Sequence, residues 1–319
     1  MQTRKPLSVI LVNPRGFCAG VERAIEIVVR ALEQYGPPVY VRHQIVHNAR
    51  VVSELTEMGA VFVKEVDDIP EGAVTIFSAH GVSRKVERAA EERRLDVIDA
   101  VCPLVSRVHN EGRHYAKKGY DIVFVGHAGH PEVVGTLGQI PGQVHLVATV
   151  EEVAALTVRD PARVAYITQT TLSVMDTQEV IDALTQRFPA IVGPDTRDIC
   201  YATQNRQAGV LAIAGEIDLL LVVGARNSSN SNRLREIGED AGVPSQLIET
   251  AEQIDPAWLD GVDRVGMTAG ASAPESLVRE ALDRLGTLRP LRIENRAGVV
   301  ETQHFRLPRD LEARQAGVA

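Results

Sequence analysis

The sequence lacks three features, each of which would indicate a different class of protein. It has only three cysteines in 319 residues, and a count that is both low and odd argues against the complete disulfide framework of a small secreted domain. Basic residues are not in excess: the net charge is −8, which gives no reason to expect a nucleic-acid partner. No apolar run approaches the roughly 18 residues that span a bilayer, and the N-terminus lacks the apolar core of a signal peptide. We therefore expect a cytoplasmic protein with no membrane partner.

The positions of the three cysteines indicate an internal repeat. Each cysteine stands directly before a stretch with helical periodicity, and a step of 24 residues from each reaches an equivalent place in or after an apolar run. The repeat length is about one hundred residues. The cysteines and the positions reached are Cys18 and Arg42, Cys102 and Gly126, and Cys200 and Gly224. Three equivalent thiols on three similar units predict one shared centre.

Short runs rich in Val, Ile and Leu alternate with amphipathic helical stretches, which is typical of parallel sheets covered by helices. The predicted fold class is α/β, with three similar small units of mainly parallel sheet in a pseudo-threefold arrangement around that centre. The predicted units are residues 1–101 with Cys18, 102–199 with Cys102, and 200–285 with Cys200. Residues 286–319 are expected to form a tail that lies over the units or is partly loose.

Six apolar runs end in loops that carry small polar residues and histidines. Ligands of α/β sheets bind at the carboxyl ends of strands, and a following helix N-terminus can hold an anion. Ser, Asn and His donors with few carboxylates suit a phosphate or diphosphate, although Ser and Asn are also common helix caps. The loop histidines are His47, His80, His127 and His130, and the other loop donors are Ser228, Ser229, Asn230 and Ser272. Surface or helix positions are expected for His109, His114, His145 and His304.

Glu132 is the one acid in its loop, Gly126-His-Ala-Gly-His-Pro-Glu. Beside His130, and opposite Thr170 and Thr171, it could relay protons. It could equally be a first-turn helix carboxylate favoured by the helix dipole.

Three cysteinates from separate units could bind either a zinc ion or an iron–sulfur cluster. Neither the paired spacing of zinc fingers nor the clustered spacing of ferredoxins is present. On a four-iron cluster, three thiolates leave one iron open to a substrate oxygen, as a Lewis acid and one-electron donor. A lone cysteine is more often a small buried apolar residue, but three in phase with a repeat argue against that reading.

Several motifs together carry a resemblance to a known family. They include Asn13-Pro-Arg-Gly-Phe-Cys-Ala-Gly-Val, Ser78-Ala-His-Gly-Val, Gly126-His-Ala-Gly-His-Pro-Glu-Val, Thr168-Gln-Thr-Thr-Leu-Ser, Asn227-Ser-Ser-Asn-Ser-Asn-Arg-Leu and Thr268-Ala-Gly-Ala-Ser-Ala-Pro. From about Ser8 to Leu285, in order and with all three cysteines, the chain resembles the 4-hydroxy-3-methylbut-2-enyl diphosphate reductases.

The resemblance implies a trefoil-like α/β protein around a 4Fe–4S cluster, which can become a 3Fe–4S form after exposure to air. It implies reduction of the allylic alcohol (E)-4-hydroxy-3-methylbut-2-enyl diphosphate to isopentenyl and dimethylallyl diphosphates, the last step of the non-mevalonate isoprenoid pathway, with ferredoxin or flavodoxin as electron donor. The implied cluster ligands are Cys18, Cys102 and Cys200. The implied diphosphate ligands are His47, His80, Ser228, Ser229, Asn230 and Ser272. Near the substrate hydroxyl it implies His130, Thr170, Thr171 and Glu132, with Glu132 as the proton source.

Two other functions are compatible with three cysteines on three units. A dehydratase or condensing enzyme of the quinolinate synthase type would need no external electron donor, and its dicarboxylate pocket would be richer in arginine. A non-catalytic iron–sulfur or zinc sensor would need neither Glu132 and the paired threonines nor so many phosphate-type donors.

Overall fold

The computed structural model describes residues 5–194 and 198–312, which form parallel sheets covered by helices. The strands are β1 Leu7–Leu11, β2 Val39–Arg42, β3 Ala60–Val63, β4 Val74–Phe77, β5 Asp96–Asp99, β6 Asp121–Val125, β7 Val144–Val147, β8 Val164–Thr168, β9 Leu219–Val223, β10 Ser245–Ile248, β11 Arg264–Ala269 and β12 Leu291–Asn295. The α-helices are α1 Ala19–Tyr35, α2 Ala49–Glu57, α3 Arg84–Glu92, α4 Pro103–Lys117, α5 Pro131–Gln139, α6 Val150–Ala155, α7 Val174–Arg187, α8 Tyr201–Ile213, α9 Ser229–Asp240, α10 Glu275–Leu288 and α11 Arg309–Glu312. Short 3₁₀ helices cover Val66–Asp68, Ala214–Glu216, Ala251–Gln253 and Pro256–Leu259. Within this described part of the chain, no helix combines the length and the apolar character that crossing a membrane requires.

One compact unit comprises residues 5–18, His47–Ala49 and Tyr201–Gln303. It contains a five-stranded sheet in the order β10-β9-β11-β1-β12, in which every neighbouring pair is parallel. Strand β9 is buried at all its positions, because its alternate residues enter two different cores. Leu221 packs in one core with Leu277 of α10, and Leu220 packs in the other with Leu234 of α9. A parallel strand buried on both faces has a continuous apolar sequence, as β9 does.

A second compact unit comprises Ala19–Val46, the described part of Arg50–Cys200, and residues 304–312. It contains two parallel sheets, ordered β3-β2-β4-β5 and β7-β6-β8. Helix α5 approaches the loop before α3 closely, because it presents glycines there. A Cβ on Gly138 would lie 2.2 Å from the Ser83 Cβ, and one on Gly135 would lie 3.1 Å from the Gly81 carbonyl oxygen. This close packing brings the loop after β4 beside the loop before α5.

The α/β class with mainly parallel sheets, predicted from the sequence, is confirmed. The predicted position of the cysteines is also confirmed, since Cys18, Cys102 and Cys200 directly precede α1, α4 and α8. In each case the next strand, β2, β6 or β9, ends 23 or 24 residues after the cysteine. The repeat is therefore a structural one, in which cysteine, helix and strand follow in that order.

The structure differs from the sequence analysis at both ends of the chain. Strand β1, which sequence analysis included in residues 1–101, pairs with β11 and β12, so that Val9 stands opposite Val265 and Ile293. The segment expected to be a tail, 286–319, contributes β12 to the same sheet. The reason is that β1 obtains its parallel neighbours from segments more than 250 residues away, which local periodicity cannot reveal. The boundaries at 102 and 200 remain predictions.

Candidate active site

Glu132 is the second residue of α5 and is buried, with 2% of its surface exposed. The helix begins there because Pro131 occupies its first position and His130 caps it, with the His130 Nδ1 accepting the Glu132 N–H at 3.2 Å. Both carboxylate oxygens of Glu132 accept hydrogen bonds from Thr170. The Thr170 N–H donates to Oε1 at 2.7 Å and the Thr170 hydroxyl donates to Oε2 at 2.8 Å. The structure thus brings together an acid and a hydroxyl that the sequence separates by 38 residues.

The Glu132 carboxyl is poised to exchange a proton near neutral pH. Burial raises its pKa from 4.5 to about 7, and the two hydrogen bonds from Thr170 oppose this rise without cancelling it. Desolvation disfavours the charged form of a carboxyl, and a general acid works best when its pKa lies near the working pH. Glu132 can therefore serve as a proton donor as well as an acceptor.

Two histidines flank this acid. The rings of His80 and His130 meet edge to face, with centroids 6.0 Å apart and planes at 83°. His80 lies in the loop after β4, where its Nδ1 is 3.4 Å from the Ser78 hydroxyl. Both histidines are half-buried. Sequence reasoning placed both on strand-end loops, and the structure shows them in contact.

Two of the cysteines are hydrogen-bonded through their backbones to these loops. The Cys200 N–H donates to the Thr170 carbonyl at 3.0 Å, and the Cys102 N–H donates to the Ala79 carbonyl at 3.0 Å. Thr170 therefore holds a cysteine through its backbone while its hydroxyl holds the acid, and Ala79 is the residue directly before His80. A thiol and a proton-donating group are fixed by the same short loops.

Gln169 completes the loop after β8, although sequence reasoning gave it no role. It is fully buried. Its Oε1 accepts the His127 N–H at 3.0 Å, and its Nε2 donates to the Thr171 hydroxyl at 2.9 Å. A buried amide that bridges two strand-end loops fixes the position of both. The signal in the sequence for such a role was the position of Gln169 in the polar strand-end loop Thr168-Gln-Thr-Thr.

His109 lies on a helix, α4, which is one of the two kinds of position expected for it, and its side chain is buried there. A Cβ on Gly81 would lie 2.8 Å from the His109 ring, so the loop that carries His80 rests on this imidazole. Burial, with a smaller contribution from the Arg113 charge, lowers the pKa of His109 to about 4. His109 is therefore neutral at physiological pH.

In the unit with the five-stranded sheet, the loop after β11 holds Cys18 and His47. The Cys18 N–H donates to the Ala271 carbonyl at 3.2 Å, and the Ser272 hydroxyl donates to the His47 carbonyl at 3.0 Å. Gly16, two residues before Cys18, has a φ of +72°, and a Cβ there would lie 3.3 Å from the Ala273 carbonyl oxygen. Only glycine adopts this conformation without strain. The chain before Cys18 is thereby fixed against the loop that carries Ser272.

The N-terminus of α9 offers polar groups suited to an anion. Ser228 caps the helix, since its hydroxyl accepts the Ser231 N–H at 3.3 Å, and Ser229 is half-buried beside it. Asn230 is 4% exposed, and neither polar atom of its side-chain amide has a hydrogen-bond partner among the described residues. A buried polar group without a partner costs about 1–3 kcal/mol. That deficit is relieved if a ligand binds there.

Glycine keeps this helix end open to close approach. A Cβ on Gly270 would lie 2.1 Å from the Ser231 hydroxyl and 3.4 Å from the Asn230 Nδ2. Backbone amides at a helix N-terminus, with Ser and Asn side chains beside them, form a recurrent site for phosphate groups. The unsatisfied Asn230 amide is the local observation that fits such a ligand.

The three cysteines have the surroundings that thiolate ligands need. None is in a disulfide, each is half-buried, and each directly precedes a helix. The positive end of a helix dipole favours a thiolate over a thiol. Within residues 5–194 and 198–312, no three or more His, Cys, Asp and Glu side chains converge as ligands of a single metal ion. An iron–sulfur cluster makes a different demand, because its thiolates bind different irons.

Comparison with known proteins places the chain in a family. A sequence model described as LytB protein matches residues 9–286. The 4-hydroxy-3-methylbut-2-enyl diphosphate reductase 1 of Rhodopseudomonas palustris is 58% identical over 301 residues, covering 94% of this chain and 98% of the relative. The 4-hydroxy-3-methylbut-2-enyl diphosphate reductase of Zymomonas mobilis is 56% identical over 313 residues, covering 97% and 92%.

Solved structures agree with this assignment. The E-1-hydroxy-2-methyl-but-2-enyl-4-diphosphate reductase of Plasmodium falciparum matches with a TM-score of 0.92 and 36% identity, covering 98% of this chain and 99% of the other. A structure of (E)-4-hydroxy-3-methyl-but-2-enyl diphosphate reductase, described as the terminal enzyme of the non-mevalonate pathway, matches with a TM-score of 0.62 and 33% identity, covering 88% and 99%. The chain therefore belongs to the LytB protein family, whose members named above are 4-hydroxy-3-methylbut-2-enyl diphosphate reductases.

Proposed function

We propose that the protein reduces (E)-4-hydroxy-3-methylbut-2-enyl diphosphate to isopentenyl and dimethylallyl diphosphates. The relatives described above are named as reductases of 4-hydroxy-3-methylbut-2-enyl diphosphate. The observation that carries the mechanism is the buried Glu132–Thr170 pair, because Thr170 also accepts the Cys200 N–H. An acid that titrates near neutrality is thus hydrogen-bonded to the loop that holds a cysteine. Reductive removal of a hydroxyl needs a proton source and an electron source close together. The acid would be the proton source, and the cysteine would help to hold the electron source.

Enzymes of this family are iron–sulfur proteins. We assign Cys18, Cys102 and Cys200 as the three protein ligands of a 4Fe–4S cluster, which loses an iron to give 3Fe–4S in air. When bound, the cluster would supply electrons one at a time and a coordination position for the substrate oxygen. Three cysteines outside disulfides fit a reducing compartment, and we therefore place the protein in the cytoplasm with ferredoxin or flavodoxin as its electron donor.

The diphosphate is assigned to the residues around the α9 N-terminus, to Ser272, and to the loop histidines His47 and His80. Asn230 supplies its unsatisfied amide, and the first backbone N–H groups of α9 favour negative charge. Hydroxyl and imidazole donors complete the anion site. The assigned residues are His47, His80, Ser228, Ser229, Asn230 and Ser272.

Proton delivery is assigned to Glu132, Thr170 and His130, with Thr171 beside the substrate hydroxyl. In its protonated form Glu132 donates from Oε2 to the Thr170 Oγ1, because a hydroxyl can rotate from donor to acceptor. Thr170 then donates its own proton outward to the departing oxygen. His130 holds the start of α5 and thereby the position of Glu132.

The reaction balances with two electrons and two protons. The C–O bond breaks, the oxygen leaves as water after taking one proton, and the allyl fragment receives both electrons. That fragment takes the second proton at either end of its three-carbon system, which gives the two products. Glu132 and Thr170 supply the first of these protons.

Anaerobically purified protein tests the whole assignment. We expect about four iron and four sulfide per chain by the pattern of such clusters, and oxidation of reduced methyl viologen only when the allylic diphosphate is added. Product analysis should then show both isopentenyl and dimethylallyl diphosphates. One zinc per chain without acid-labile sulfide, or dye oxidation without these products, would contradict the proposal.

A further inference from the structure

Each helix that follows a cysteine carries an arginine that the reaction does not use. These arginines lie five, five and six residues after their cysteines. They are Arg23 on α1, Arg107 on α4 and Arg206 on α8. Each of them reaches the segment that precedes a different cysteine in the chain.

Arg206 makes the tightest of these contacts, and its side chain is fully buried. Its Nη2 donates to the Gly16 carbonyl at 2.8 Å and to the Phe17 carbonyl at 3.4 Å, directly before Cys18. Its Nη1 donates to the Glu301 Oε1 at 2.9 Å. A buried charge needs such a partner. The ion pair also gives the C-terminal segment a role, because Glu301 holds the guanidinium against the Cys18 turn.

Arg23 makes the equivalent contact before Cys102. Its Nη1 donates to the carbonyl of Val101 at 3.1 Å, and its Nε donates to the carbonyl of Arg306 at 2.7 Å. As with Arg206, one guanidinium joins the peptide before a cysteine to the C-terminal segment.

Arg107 makes a longer contact, an ion pair, with the segment before Cys200. Its Nη2 lies 3.8 Å from the Oδ1 of Asp198, two residues before the cysteine. Asp198 is buried, and its Oδ2 accepts the Thr168 N–H at 3.2 Å. Arg107 therefore contacts the segment before Cys200 through an acidic side chain rather than through a carbonyl oxygen, and without a hydrogen bond to Asp198 Oδ1.

We propose that Arg23, Arg107 and Arg206 are positioning residues for the three cluster ligands. The helix after Cys18 fixes the turn before Cys102, the helix after Cys102 fixes the segment before Cys200, and the helix after Cys200 fixes the turn before Cys18. Replacing a residue that orients a metal ligand typically lowers metal affinity 10- to 100-fold. The inference rests on the cluster ligation proposed above.

The test replaces each arginine by lysine, which keeps the charge but cannot reach two acceptors with a planar fork. The matched control is Arg289→Lys. Arg289 is also well buried, also donates to backbone carbonyls, those of Lys5 and Val262, and also pairs with a carboxylate, that of Asp263. None of these three acceptors is within 10 residues of a cysteine in the sequence.

Anaerobic holoenzymes are treated with an iron chelator, and the loss of the cluster absorption is followed together with the electron paramagnetic resonance spectrum of the reduced cluster. We expect Arg206→Lys and Arg23→Lys to lose the cluster about 10- to 100-fold faster than wild type, and Arg107→Lys to lose it less quickly than those two. Their reduced spectra should be altered. Arg289→Lys should keep the wild-type rate and spectrum, even if it lowers the unfolding temperature.

Three results separate the possible failures. If folded Arg206→Lys and Arg23→Lys lose the cluster no faster than Arg289→Lys, the positioning role is wrong while the proposed function stands. If the wild type itself takes up no iron and sulfide, both proposals fail. If Arg206→Lys does not fold, Arg23→Lys and Glu301→Gln decide. Glu301→Gln keeps Arg206 but removes the ion pair that holds its guanidinium against the Cys18 turn, and it should therefore accelerate cluster loss.

Discussion

Replacing Glu132 by glutamine changes one chemical property of the site and little of its shape. The new side chain can still accept the Thr170 N–H, because its amide oxygen can occupy the place of Oε1, which is 2.7 Å from that nitrogen. Its amide NH₂ replaces Oε2, and the Thr170 hydroxyl, now 2.8 Å from Oε2, can rotate to accept. The variant thus keeps both contacts but has no proton to release.

Two kinetic effects are expected if Glu132 is the proton source. Loss of general acid catalysis should lower kcat by ~10²–10⁴ while KM stays near the wild-type value. The wild-type kcat should also fall as the pH rises above about 7, because the protonated form of Glu132 is then depleted. The residual rate of the variant should not show this fall.

The same pKa predicts an effect on stability. Because burial raises the folded-state pKa from 4.5 to about 7, the folded protein binds more protons than the unfolded chain between these values. The stability of the wild type therefore decreases as the pH rises through this range, by about 3 kcal/mol at most, and is constant above it. The glutamine side chain does not titrate, so the Glu132→Gln variant should gain stability relative to the wild type between pH 5 and 8.

The assay is anaerobic oxidation of reduced methyl viologen by the allylic diphosphate, measured from pH 6 to 9 alongside iron and sulfide content. Glu152→Gln is the control, since Glu152 is an exposed first-turn carboxylate on α6 and its replacement should leave the rate and the pH profile unchanged. If Glu132→Gln with a full cluster turns over at a wild-type rate, Glu132 is not the proton source. His130 or the substrate diphosphate would then be the remaining donor.

Three further assignments are each tested by substitution. Cys102→Ser should lose most of its iron and sulfide, because a hydroxyl is a poor substitute for a thiolate on iron; a full cluster in this variant would remove Cys102 from the ligand set. Asn230→Ala should raise KM by the equivalent of about 1–3 kcal/mol, with a smaller change in kcat. The control Asn110→Ala, on an exposed turn of α4, should change neither. An unchanged KM in Asn230→Ala would show that the diphosphate binds elsewhere. Thr170→Val should lower kcat and Thr170→Ser should restore it, and equal rates for the two would show that the hydroxyl carries no proton.

Local sequence was sufficient to locate the elements of the site. The apolar runs Val74-Thr-Ile-Phe and Leu219-Leu-Leu-Val-Val predict strands, and the structure has β4 and β9 at these bounds. Strands buried by helices have unbroken apolar sequences bounded by polar loops. The start of α5 was also readable, because proline, here Pro131, is common at the first position of a helix. The proximity of Glu132 and Thr170 followed from the rule that parallel strands end at the same edge of a sheet.

Other features depend on contacts between distant segments, and the sequence did not reveal them. His109 looks like any helical histidine until the loop at Gly81 covers it. The three arginines after the cysteines were visible in the sequence, but nothing local indicated that Arg206 is buried against Gly16. A charged side chain is exposed by default, so only packing can identify the exception.

The sequence by itself determined which segments become strands and helices. It also determined that the cysteines, histidines and hydroxyls lie where strands end and helices begin. Both properties arise from the periodicity and capping of short local segments. The tertiary structure decided which strands become neighbours, as with β1 beside β11 and β12. It also decided the chemical state of Glu132, because a raised pKa arises from the removal of water by surrounding residues, which no position in the sequence specifies alone.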